Sequence, residues 1–245
     1  VDEPNIRHLV AEFLGRPAPR IVPYGLSEGA LWRALDVQAN DEGGSDFTIY
    51  RGSQTKGRAH LLLPGRHNVK NALAALAVAD LVGLDLDKAS EALATFQGVR
   101  RRFEVKGEKE GITVIDDYAH HPSQIRATLA AARQRYPARR IWALFQPHTF
   151  SRTKALFEGF TAAFGDADRV LVTDIYAARE HNDLGVRASD LAAQIKRGHV
   201  RYCATLDEAV EYLLQHIRAG DVLITLGAGD GFTVGERVLQ NLAAT

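Results

Sequence analysis

Methionine is absent from all 245 residues and cysteine occurs once, at Cys203. A lone cysteine excludes an internal disulfide framework and any Cys-x-x-Cys metal knuckle, and it fits a reducing compartment. Its strand-like, apolar setting marks it as a core residue. No apolar run approaches the ~18 residues of a membrane-spanning helix, and no secretory leader opens the chain. A cytoplasmic protein with no membrane partner is expected. Charge of one sign is missing too: 30 Lys plus Arg balance 30 Asp plus Glu. The chain therefore has no global field to attract nucleic acid, and small-molecule chemistry is the expectation. Three motifs are also lacking: Gly-x-x-x-x-Gly-Lys-Ser/Thr, His-Glu-x-x-His and Gly-x-Ser-x-Gly. Their absence removes a phosphate loop of the P-loop type, a zinc hydrolase helix and a nucleophile elbow. Position 1 is valine, and Val1-Asp2-Glu3-Pro4 reads as a loop entered in mid-domain, so a piece of a longer protein is expected.

What the chain does have is concentrated between Ile112 and Ile125. Ile112 to Ile115 reads as a short buried strand, and Pro122 marks the first turn of a helix that carries Ile125, Leu129 and Ala132 on one face. Between them stand Asp116, Asp117, Tyr118, His120 and His121. Paired aspartates are common as turn and cap residues, and paired histidines are commonly surface residues. Their density at the carboxyl end of a strand, where open α/β sheets bind ligands, favours a functional reading.

The opening third is mixed α and β. Ile6, Leu9, Val10 and Phe13 have helical spacing, and strands are expected near Arg20–Tyr24, Phe47–Tyr50 and His60–Leu63. An Ala-rich helix follows Pro64-Gly65-Arg66-His67, with Asn68 and Asn71 three residues apart on its first turn. Asn68 alone could be a cap. Asn71, inside a helix where Asn is a poor former, shares its face, and two amides so placed could read a purine edge. A second helix over Leu86–Phe96 leads to Gly98 and Val99-Arg100-Arg101-Arg102-Phe103-Glu104. A domain boundary is placed here, giving domains 1–98 and 99–245. Arginine is the side chain best shaped for phosphate or carboxylate, although a run of three is also a common solvated surface.

Beyond the boundary, strands and helices alternate. Strands are expected at Ile112–Ile115, Arg140–Phe145, Arg169–Thr173, His199–Cys203 and Asp221–Leu226. Helices are expected at Pro122–Arg135, Thr153–Phe164, Ser189–Ile195, Asp207–Ile217 and Phe232–Leu242. This alternation predicts a Rossmann-like, mostly parallel sheet with helices on both faces. Polar residues gather at further strand ends: Gln146, His148, Ser151 and Arg152, then Asp174, Tyr176, Arg179 and Glu180. Parallel strands would let His120, His148, Arg152 and Asp174 converge on one crevice. Gly227-Ala-Gly229-Asp230-Gly231 resembles part of a dinucleotide fingerprint, but Phe232 stands at the third glycine position and too little chain follows for the rest of the unit. A tight turn is the better reading.

Four stretches taken together resemble the Mur ligase family. They are Gly65-Arg-His-Asn-Val-Lys-Asn-Ala-Leu-Ala-Ala, Gly98-Val-Arg-Arg-Arg-Phe-Glu, Asp116-Asp-Tyr-Ala-His-His-Pro and Phe145-Gln-Pro-His-Thr-Phe-Ser-Arg-Thr. Asp174-Ile-Tyr-Ala-Ala-x-Glu adds a fifth. The resemblance covers essentially the whole chain. It implies the last part of a central ATPase domain followed by a complete C-terminal domain, with the P-loop half absent. It implies an ATP-dependent ligase of cell-wall peptidoglycan synthesis, with UDP-N-acetylmuramate, L-alanine and ATP as its partners. Mg2+ is implied too, with its ligands in the part not present here, so the piece alone is expected to be inactive. By the same resemblance Asn68 and Asn71 contact adenine, and Arg102 and Asp117 reach the phosphates and ribose. Tyr118, His120, His148 and Arg152 line the site for the amino acid and the acyl phosphate. His120 joins Arg102 and Asp117 as a catalytic candidate. Two positions depart from the family pattern: Thr149, where some relatives carry arginine, and Arg179, where a glycine is expected. A ligase for recycled tripeptide and a non-catalytic nucleotide-binding module are the alternatives.

Overall fold

In the computed structural model, which describes residues 2–13, 21–196 and 199–242, the chain folds as two units, Val1–Gln97 and Gly98–Thr245. The first begins with α1 (Pro4–Phe13) and continues through β1 (Tyr24–Gly25), β2 (Trp32–Ala39), β3 (Ser45–Arg51) and β4 (Gln54–Leu61) to α2 (Arg66–Leu81) and α3 (Leu86–Ala94). The strands form one sheet in the order β1-β2-β3-β4, antiparallel except for β1 with β2. Side chains of a strand alternate between faces, so Trp32, Ala34, Phe47, Ile49, Ala59 and Leu61 share one face. They bury against Val69, Leu73, Leu76 and Ala77 of α2.

Three local differences from the sequence expectations have physical causes. Strand β2 was not expected, because a bulge between Leu35 and Gln38, with Asp36 at φ 53°, breaks the period of two. Of the strand expected at 20–24, Arg20 lies outside the described residues and only Tyr24–Gly25 pairs. Helix α2 starts at Arg66 behind Gly65, which sits at φ 94° and needs no side-chain cap. Asn68 is therefore inside the first turn and is not a cap.

The second unit runs β5 (Glu104–Lys109), β6 (Ile112–Asp117), α4 (Pro122–Arg135), β7 (Ile141–Phe145), α5 (Phe150–Ala155), α6 (Phe157–Thr161), β8 (Arg169–Thr173), α7 (Ala188–Gln194), β9 (His199–Cys203), α8 (Leu206–His216), β10 (Val222–Leu226) and α9 (Phe232–Asn241). Its sheet has the order β5-β6-β10-β7-β8-β9 and is parallel except for β5. Every residue of β6, β7 and β10 is buried, which is why these strands are dominated by apolar residues. Alternate residues feed two cores. Ile115, Ile141, Ala143, Phe145, Val222 and Ile224 pack with residues of α4 and α7. Val114, Trp142, Leu144 and Leu223 pack with those of α8 and α9 on the other face.

Strand β5 was missed because Glu-Val-Lys-Gly-Glu-Lys is a half-exposed edge strand with no apolar run. It turns into β6 through Glu110 at φ 49° and Gly111 at φ 74°, the paired positive angles of a tight hairpin. The single helix expected over 153–164 is two short ones broken at Leu156, and the first starts three residues early, behind Thr149. A Cβ on Gly159 would lie 3.0 Å from Pro122 Cγ, so the second short helix approaches the start of α4 closely.

Candidate active site

The carboxyl ends of β6, β10, β7 and β8 lie side by side in the sheet, and the turns that leave them carry the polar residues. The turn after β6 is anchored from within. Asp116 is 2% exposed and accepts from Arg101 Nε at 2.9 Å and from Thr225 Oγ1 at 2.8 Å. Asp117 is 5% exposed, with Oδ2 accepting from Phe103 N at 3.1 Å and Thr128 Oγ1 at 2.9 Å, and Oδ1 from Ala119 N at 3.0 Å. Burial pushes the Asp117 carboxyl above the ordinary carboxylate range, and the bonds from Thr128 and Phe103 oppose that shift. Both oxygens are thus already bonded within the fold. Arg102, by contrast, is exposed, and its Cζ lies 5.6 Å from the Tyr118 ring centroid.

Tyr118 leads into the histidines. The Tyr118 and His120 rings meet edge to face at 5.3 Å, and the His120 and His148 rings are 6.4 Å apart. His120 Nδ1 lies 2.8 Å from the Tyr118 carbonyl oxygen. A carbonyl only accepts, so Nδ1 carries the proton and Nε2 of the neutral ring keeps its lone pair. Burial holds His120 below the ordinary histidine value, with Arg152 and Arg102 adding to the effect, while the Tyr118 carbonyl opposes it. His148 is lowered likewise, by burial first and then by Arg152 and His120.

The turn after β7 is fastened to the one after β8. Thr149 N donates to Tyr176 O at 2.9 Å, and Tyr176 N donates to Pro147 O at 2.8 Å. Thr149 adopts φ 66°, a left-handed angle that β-branched residues seldom take, and caps α5 through Arg152 N. The helix places Arg152 Nη1 3.0 Å from His148 Nδ1. The His148 ring stacks on Tyr176 at 5.5 Å and 20°. Ser151 donates from N and Oγ to Glu180 at 2.8 and 2.5 Å, which holds the Glu180 carboxyl below its usual range.

Glycines let the turn after β10 press onto this assembly. A Cβ on Gly227, at φ 144°, would lie 2.6 Å from Gln146 O, and one on Gly229 would collide with Gln146 Oε1 and the Tyr176 ring. Gln146 donates from Nε2 to Asp230 Oδ1 at 2.7 Å, and its Oε1 accepts from Gly231 N at 2.8 Å. The turn is therefore a packing device, as its incomplete fingerprint implied. Sequence reasoning bet on neither Tyr176 nor Gln146, and their place in the strand-end stretches was the available signal.

His120, His148, Arg152 and Tyr118 come together, and Arg102 borders Tyr118. Asp174 does not join them. Its Oδ1 accepts from Tyr202 Oη at 2.5 Å, which pushes Tyr202 up to about 12, and it lines a cavity of about 360 Å³ with Phe150 and Arg187. In the first unit, Asn68 Nδ2 donates to Pro64 O at 2.8 Å, and Asn71 Nδ2 donates to Asn68 Oδ1 at 3.4 Å, so the two amides stand together on α2. Among the described residues, no group of three or more His, Cys, Asp and Glu side chains could hold a metal ion. Nor is any helix among them long and apolar enough to cross a membrane.

Known proteins resemble both units. The Mur ligase, glutamate ligase domain matches residues 101–229, and the Mur ligase middle domain matches residues 1–79. The UDP-N-acetylmuramate--L-alanine ligase of Caldanaerobacter subterraneus subsp. tengcongensis is 46% identical over 241 residues, covering 98% of this chain and 51% of that protein. The chain spans about half the length of the curated relatives it matches. The crystal structure of the UDP-N-acetylmuramate-alanine ligase of Thermotoga maritima superposes with a TM-score of 0.78 at 27% identity, covering 91% of this chain and 48% of that one. A murein peptide ligase of Psychrobacter arcticus gives 0.59 at 26% identity, covering 91% and 46%.

Proposed function

The chain belongs to the Mur ligase family, and from that premise we propose that it supplies the amino-acid-binding part of an ATP-dependent ligase joining L-alanine to UDP-N-acetylmuramate. The observation that carries the proposal is the set of His120, His148 and Arg152 at the carboxyl edge of the parallel sheet. The substrate assignment draws on the relatives named above for L-alanine addition.

In the reaction proposed, the muramate carboxylate attacks the γ-phosphorus of ATP and ADP leaves. The alanine amine then attacks the acyl carbon and inorganic phosphate leaves. The attacking amine must first lose a proton. His120 fits that task, because its Nδ1 proton is held by the Tyr118 carbonyl and Nε2 is left to accept. His148, with Nδ1 accepting from Arg152, directs an Nε2 proton outward as a donor. Arg152 is the cation for the alanine carboxylate. Arg102, exposed beside Tyr118, neutralises phosphate oxygens as charge develops on them. Asp117 acts through the turn that it braces. Asn68 and Asn71 take the adenine edge. The described residues offer no fit for the Mg2+ that the resemblance implies, since no metal-holding group stands among them.

The test is ATP-dependent phosphate release with UDP-N-acetylmuramate and L-alanine, run on this chain and on a full-length enzyme carrying it. Alanine-dependent release by the full-length enzyme supports the proposal. Release only with a tripeptide in place of alanine supports the recycling ligase. Nucleotide binding without release by either protein supports a binding module.

A further inference from the structure

Of the consecutive arginines at 100–102, the middle one turns into the fold. Arg101 Nε donates to Asp116 Oδ2 at 2.9 Å, and its Nη2 donates to Gly227 O at 3.0 Å and Gly229 O at 3.3 Å. Its Cζ lies 4.9 Å from the Tyr118 ring centroid and 4.5 Å from that of Phe232. The backbone is used as well: Arg101 N donates to Glu104 Oε2 at 2.8 Å, and Arg101 O accepts from Tyr118 N at 2.7 Å. One residue thus ties the segment before β5 to the turns after β6 and β10.

The segment does not take this path freely. Arg101 sits at φ 58° and Phe103 at φ 48°, left-handed angles that ordinary side chains disfavour. Phe103 is 4% exposed, and its N–H is held by Asp117. Between these two fixed residues Arg102 is exposed and lies over Tyr118. A lysine at 101 would keep the charge but lose the planar fork that reaches a carboxylate and two carbonyls at once.

We propose that Arg101 is a positioning residue for the ligase reaction, a clamp that holds the strained 101–103 segment against the turns after β6 and β10 and thereby aims Arg102 at the site. The proposal rests on the ligase reading and deepens it. A misplacement of about 1 Å in a positioned catalytic group costs about a hundredfold in rate, and losing a stabilising donor costs a similar factor.

The experiment is a double-mutant cycle in the full-length enzyme, with kcat, the KM for alanine and thermal unfolding measured for R101A, R102A and R101A/R102A. R101A is expected to lose about a hundredfold in kcat with the unfolding transition retained and the alanine KM moved less than about threefold. The double variant is expected to be no slower than R102A alone, because Arg101 acts through Arg102. R101K should recover less than a tenth of the wild-type kcat, and should R101A not fold, R101K takes its place in the cycle. Independent, multiplying losses, or a loss matched by the unfolded fraction, would overturn the positioning role while leaving the ligase reading intact. A wild-type enzyme with no alanine-dependent turnover would overturn both.

Discussion

Arg152 and His148 fix each other's chemistry: Arg152 Nη1 stands 3.0 Å from His148 Nδ1, and a guanidinium can only donate, so the His148 proton resides on Nε2. His120 has the opposite assignment, with its proton on Nδ1 toward the Tyr118 carbonyl. Two histidines 6.4 Å apart are thereby set as one acceptor and one donor.

Both rings are lowered by burial and by cations, Arg152 among them. The neutral forms therefore persist as pH falls past the ordinary histidine value of about 6.5. Stability linked to these rings is present above that value and is lost as pH falls from it toward their lowered values. In a full-length enzyme the acid limb of kcat/KM is expected below 6.5. Arg152→Met should move the limb upward and raise the alanine KM. A limb that stays in place in that variant would separate Arg152 from the histidines.

Asp117→Asn turns one acceptor of a three-donor site into a donor. Whichever way the amide turns, it faces an N–H or hydroxyl that already donates. The expected cost is about 1–3 kcal/mol, read from the denaturant midpoint of this chain. An unchanged midpoint would show that the carboxylate does not hold the turn.

Gly229→Ala places a methyl against Gln146 and the Tyr176 ring. Overpacking of this kind costs about 1–3 kcal/mol, and displacing Tyr176 should disturb the His148 stack as well. Gly165, where nothing lies within 4 Å of an added Cβ, is the control. Gly165→Ala should leave the unfolding temperature nearly unchanged, and a Gly229→Ala variant that matched it would refute the close approach.

In the first unit His60 bridges Glu42 at 2.6 Å and Asp46 at 2.8 Å, and the bond to Glu42 raises its pKa most. Its contribution is fully present below the unfolded value of about 6.5 and is lost as pH rises through the raised folded one. The ring is 39% exposed, so solvent screening limits the effect to a few tenths of a kcal/mol. A ring titration by NMR should have its midpoint above 6.5, returning toward that value in Glu42→Gln. A midpoint at or below it would mean that the bridge does not form in solution.

The parallel α/β sheet was legible because β6, β7 and β10 are covered on both faces, which leaves them mostly apolar apart from Thr113, the aspartates that end β6, and Thr225. Strand β5 was not, since an edge tolerates charge, and β2 was not, since its bulge disrupts the alternation. Strand ends pointed to His120, His148 and Arg152. Asp174, at another strand end, turns to Tyr202 instead, a choice made by a neighbouring strand and invisible locally. The three arginines are alike in sequence. Backbone angles at Arg101 and Phe103 decide which one turns into the fold, half-buried, and which one is exposed.

The sheet order has a consequence for how the protein is made. Strand β10 lies between β6 and β7, although its Thr225 and Ile115 of β6, to whose carbonyl Thr225 Oγ1 donates, are 110 residues apart in sequence. A ribosome adding about 5–20 residues per second leaves β6 and β7 without their shared neighbour for several seconds. Asp116 waits through that interval for Thr225. The carboxyl edge of the sheet is completed only once β10 has left the exit tunnel.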